Sequence, residues 1–160
     1  MLIRSVSGCL LLVALCPSAW GADLFFPDPA LTPGALNPGV TQDNIQETVC
    51  LAEWRQKQQP PVSYLAELKA KQVAALHLQG TESDYREDHL VPLCMGGHPT
   101  DPRNLWPQRI EGDWNARVKD QFESAACARL CRGELTLEAG QAMFLEPDWR
   151  EAYLKMFRVE

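Results

Sequence analysis

The chain has 160 residues, enough for one ordinary domain and whatever is processed away. Its 15 basic and 21 acidic residues give a formal charge of −6. That balance excludes the broadly basic surface by which proteins usually grip long duplex DNA, since neutralised phosphates supply most non-specific affinity.

The first 21 residues read as a signal peptide: one positive charge at Arg4, an apolar core from Cys9 to Cys16, then Ala19-Trp20-Gly21. The small residues Ala19 and Gly21 suit cleavage before Ala22. The apolar core is shorter than the roughly 20 residues a spanning helix needs, so no membrane span is expected. Leu15 is too bulky for the position before a lipidated Cys16. The mature protein is expected in the periplasm or outside the cell, with a charge of −7 once Arg4 is lost. Export leaves Cys50, Cys94, Cys127 and Cys131 in an oxidising compartment, where disulfides are the default. A structural zinc site is the competing reading, but no second close Cys or His pair accompanies Cys127 and Cys131.

Residues 22–40 form a Pro-rich extended arm, ordered only if it packs on the domain that follows over 41–160. Thr41 can cap a helix carrying Ile45 and Val49 to about Trp54. Pro60-Pro61 breaks it, and Ser63 can cap a second helix with Leu65, Leu68, Val73 and Leu76 at helical spacing, ended by Gly80. Two short extended pieces follow, around Tyr85–Leu90 and Asn104–Pro107, joined by a loop with Gly96-Gly97. A third helix is expected from about Asp113 to Cys131, with Trp114, Val118, Phe122 and Ala126 on one face. Asn115, Lys119 and Glu123 form a polar stripe on another. Gly133 ends it, Thr136 caps a fourth helix, and Asp148 starts a last one with Trp149, Tyr153 and Phe157. The fold class is α+β, mainly helical, with one small two-stranded element. Cys50 is expected to pair with Cys131, tying the first helix to the end of the third, and Cys94 with Cys127.

The chemistry concentrates between Tyr85 and Glu123. Phosphodiester hydrolysis needs a water made nucleophilic and charge neutralised on the phosphate. A histidine can take the water's proton at neutral pH, and one divalent ion can act as Lewis acid. His89 supplies such a base, Asp88 a carboxylate, and Asn115 a carbonyl oxygen at the start of a helix. Neighbours on a strand point to opposite sides, so Asp88 and His89 reach one site only where the strand ends or bends. Glu87 is expected to point away from Asp88, His98 to be a loop residue, and Trp106 and Trp114 to be buried rather than stacked on bases. Arg103, Arg109, Arg117 and Lys119 are candidates for a local basic strip that contacts nucleic acid, with ordinary solvated charge as the alternative.

Asp88-His89-Leu-Val-Pro, Gly96-Gly97, Asn104-Leu-Trp-Pro-Gln and Asn115 with Lys119-Asp120 form one ordered set. The set resembles the HNH, or ββα-metal, nuclease family. Thr32-Pro-Gly-Ala-Leu-Asn-Pro and Thr48-Val-Cys extend the likeness to small exported bacterial proteins with HNH-like domains. The resemblance implies a ββα-metal motif packed against flanking helices. It implies a single-metal site with Asp88 and Asn115 on the ion, Mg²⁺ first and Mn²⁺ or Zn²⁺ as alternatives. His89 would be the general base and Asn104 the residue that braces the base loop. The implied function is an exported endonuclease acting on DNA or RNA, expected as a monomer. The alternative is a non-catalytic exported binding module or structural protein that keeps the fold.

Overall fold

The computed structural model describes residues 25–146 and 148–158, so the expected signal peptide and its cleavage point lie outside the described residues. Among the described residues, five α-helices and a two-stranded antiparallel sheet give a mainly helical α+β arrangement, with the second helix against the sheet. Helices α1 (Ala52–Gln58) and α2 (Val62–Ala75) precede strand β1 (Tyr85–His89). A loop leads to β2 (Leu105–Arg109), and α3 (Ala116–Cys131), α4 (Leu137–Leu145) and α5 (Arg150–Phe157) follow. Among the described residues no helix is long and apolar enough to cross a membrane.

The described part of the arm packs on the domain. Asn37 N donates to Gly96 O, His98 N to Ala35 O, and Gly34 N to Arg103 O, so residues 34–37 lie along the loop between the strands. The first expected helix does not form as one unit. A 3-10 turn covers Gln42–Asn44, irregular turns follow, and α1 starts only after an extended Leu51. Thr48 explains part of the break, because its hydroxyl donates to Asn44 O and diverts the chain from a regular ladder. Helix α2 begins at Val62 rather than after Ser63, with Pro61 in the cap position, where its missing N–H costs nothing. That helix is tied to both strands: Lys69 Nζ donates to Tyr85 O, and Gln72 Nε2 to Leu105 O.

The core lies on the other side of α3. Val49, Val91, Met95, Phe122, Ala126, Leu130, Phe144 and Trp149 are buried together. Phe122 of α3 stacks on Trp149 at the N-cap of α5, Trp114 just before α3 meets the same indole edge-on, and both also pack on Tyr153 of α5. Two disulfides join this core to the rest. Cys50–Cys131 links the turn before α1 to the end of α3, and Cys94–Cys127 links the loop after β1 to the middle of α3. The Cα atoms are 5.6 and 5.8 Å apart, inside the range a disulfide requires.

Candidate active-site cleft

Strand β1 pairs with β2 as far as His89 opposite Leu105, so the ladder still alternates where Asp88 and His89 stand. Asp88 shares its face with Arg86, two residues back, while His89 turns toward the loop. Both nonetheless border one cleft of about 380 Å³, together with Arg55, Arg86, Glu87, Asp120 and Glu123.

His89 is held by its Nε2, 2.9 Å from Pro99 O. A carbonyl oxygen can only accept, so the ring proton sits on Nε2 and a neutral imidazole keeps its lone pair on Nδ1. Burial lowers the His89 pKa below the usual 6.5, and the Pro99 contact and Asp88 only partly oppose this. The ring is therefore neutral at pH 7 and able to take a proton.

Asn104 fixes the loop that carries Pro99. It lies in a 3-10 turn (Pro102–Asn104) just before β2, not inside the strand as expected, and is fully buried. Its Oδ1 accepts from Val91 N, and its Nδ2 donates to Val91 O and His98 O. One side chain thereby closes the loop from both ends. Gly97 makes this closure possible, since a Cβ there would fall 1.7 Å from Val91 O and 2.8 Å from Asn104 Nδ2. His98 stays in the loop, its Nδ1 accepting from Thr100 N and Asp101 N. Asn104→Ala should strand three backbone groups and cost about 2–3 kcal/mol, read as a lower urea midpoint.

Asp88 is enclosed by cations and N–H groups. Its Oδ1 accepts from His89 N at 2.9 Å and its Oδ2 from Arg86 Nη2 at 3.0 Å, while Lys119 Nζ lies 3.5 Å from Oδ2. Burial alone would raise its pKa, but Lys119 and Arg86 outweigh that and hold it below the ordinary carboxylate value. Arg86 also bonds both oxygens of Asp120 on α3. Lys119, expected on a polar stripe and as a candidate contact to nucleic acid, is fully buried. Its ammonium donates to His89 O at 2.6 Å and to Glu123 Oε1. Burial pulls the Lys119 pKa down, yet Asp88 and Glu123 reverse this and leave it raised. Glu123 is pushed up to about 7, chiefly by burial, with Lys119 opposing.

Asn115 is placed differently from its expected role. Helix α3 starts at Ala116, and Asn115 is its N-cap: Oδ1 accepts from Arg117 N and Val118 N, and Nδ2 donates to Gly112 O. The exposed first-turn amides take the carbonyl that was expected on a metal ion. With Asn115 Oδ1 taken by two amides and Asp88 Oδ2 facing both Arg86 and Lys119, the Asp88–Asn115 pair does not fit a divalent ion. Among the described residues no group of three or more His, Cys, Asp or Glu is placed to hold one.

The expected basic strip does not assemble at the cleft. Arg103 pairs with Asp101, Arg117 stands 3.9 Å from Glu111, and Arg109 lies over the Tyr85 ring. Lys119 is buried beneath the site. The arginines bordering the cleft are Arg55 and Arg86, which the sequence reading passed over. Arg86 was legible in principle, because period-two alternation puts it on the face of Asp88. Arg55 carried no such signal. Trp106 is buried directly across the ladder from Asp88, and Trp114 packs on Trp149 and Tyr153, so neither is presented for stacking on bases.

Glu87 is nine-tenths buried, and neither carboxyl oxygen has a hydrogen-bond partner among the described groups. Burial pushes its pKa up to about 8, with Asp88 adding to the shift. A carboxyl that holds its proton when folded favours the fold below its ordinary pKa of 4.5 and yields that advantage as pH rises toward 8. Glu87→Gln should therefore stabilise the protein increasingly between about pH 5 and 8, measured as the difference in Tm from the parent. The lowered pKa of Asp88 acts in the opposite sense, but only below its ordinary 3.8.

Compared with known proteins, the chain matches no family model, no curated protein and no solved structure.

Proposed function

We propose that this protein is an exported hydrolase of phosphodiester bonds in DNA or RNA, with His89 as general base. The observation that carries the reading is the Nε2 contact of His89 to Pro99 O at the edge of a cleft that also holds Arg55 and Arg86. In this reading Nδ1 takes the proton of the attacking water, and Pro99 O keeps the ring in the tautomer that allows it. Arg86 and Arg55 face the anionic phosphate, as bidentate donors suit. Asn104 acts through the loop: it holds Pro99 in place and touches no substrate. The resemblance to HNH nucleases supports the substrate class, and the order β1, loop, β2, α3 is compatible with it.

The second reading, a non-catalytic exported binding module, is favoured by two observations. Arg86 is already engaged by Asp88 and Asp120, and the chain as a whole is acidic. Incubation with plasmid DNA and with RNA, in Mg²⁺, Mn²⁺ or chelator, separates the two. Nicking or degradation above a His89→Ala control supports the hydrolase. Intact substrates in every condition support the binding module.

A further inference from the structure

We propose that Lys119 is the resident cation of this site, occupying the place between Asp88 and Glu123 that a divalent ion would otherwise take. The ammonium has three oxygen neighbours: it donates to His89 O and Glu123 Oε1 and forms an ion pair with Asp88 Oδ2 at 3.5 Å. No part of the side chain is exposed, so the ammonium is a fixed internal charge and not a surface lysine in transit. Asp88 receives a second cation, Arg86, on the same oxygen. A divalent ion bound to that carboxylate would sit beside two positive charges in a poorly solvated pocket. The neutral ligand expected to complete its shell, Asn115, is committed to the N-terminus of α3.

The position of Lys119 on α3 makes the arrangement structural as well as electrostatic. The Nζ–His89 O bond joins the third helix to the end of β1, on the residue that carries the imidazole. Lys119 is thus a positioning residue, and Arg86, with 38% of its side chain exposed, is the cation in the cleft that can meet a ligand. The inference does not rest on the catalytic reading, because an inert protein would carry the same ion pair.

The test is metal binding rather than turnover. The purified, oxidised protein is stripped with chelator and titrated with MnCl₂, followed by calorimetry and by the Mn²⁺ electron paramagnetic resonance signal. The parent should show no site at Asp88 tighter than about 1 mM. Lys119→Ala should gain a Mn²⁺ site at least about tenfold tighter, and adding Asp88→Asn to that variant should remove it. Lys119→Met, which fills the space without the charge, serves as the second variant if circular dichroism shows that the alanine protein is unfolded. Parent binding in the micromolar range that Asp88→Asn abolishes would overturn the proposal, whatever the variants do. So would a folded Lys119 variant that gains no Mn²⁺.

Discussion

His89→Ala is expected to lower nucleic-acid hydrolysis by about 10² to 10⁴, the usual range for loss of a general base. The loss should fall on kcat while substrate binding is retained, since the arginines proposed to meet the phosphate are untouched. The imidazole is half-buried but donates only to Pro99 O, so the variant should still fold; a circular dichroism melt checks this. An independent reading comes from the titration of the ring. Burial lowers the His89 pKa, so its NMR signals should titrate below the ordinary 6.5. Protonation takes away the Nδ1 lone pair, so activity should be lost on the acid side of that titration and retained at neutral pH. A variant as fast as the parent would remove His89 from catalysis and favour the binding module.

Replacing Cys50 and Cys131 together by alanine is expected to cost about 4 kcal/mol in the chain-entropy description, for a bridge spanning 81 residues. The bridge holds the irregular turn before α1 against the last turn of α3. The turn has its own backbone bonds, Cys50 N to Ile45 O among them, and among the described residues Gln46 Nε2 to Cys131 O joins the two segments beside the bridge. Denaturant unfolding of the oxidised parent and of the double variant should differ by that amount, with a smaller gap for a Cys94/Cys127 double variant. Equal stability would mean that the turn is held by its packing alone, through Ile45 and Val49.

Local patterns along the chain went far toward the fold. Apolar spacing located α2, α3 and α4, the Gly-Gly turn located the loop, and Thr136 caps α4 through its hydroxyl as expected. These are properties of neighbouring residues, and periodicity and capping act over a turn or two of chain. The same logic failed between Thr41 and Leu51, where a disulfide to a residue 81 positions away and a threonine back-bond override helical spacing.

The surroundings of the motif needed the third dimension. The resemblance put Asp88, His89, Asn104 and Asn115 in one candidate site, and the Asn104 side chain bonds to Val91 and His98 in the loop. Composition and spacing could not say which polar atoms were already engaged. Asn115 is drawn to the N–H groups at its own helix start, a contact available as soon as α3 forms. Lys119 looks solvated on a helical wheel, yet docking of α3 on β1 buries it among His89 O, Asp88 and Glu123. Arg55 reaches the cleft only because α1 is folded back beside the loop after β1. Burial and charge pairing depend on contacts between segments distant in sequence, so the residue types were legible in the chain and the electrostatics of the cleft only in its packing.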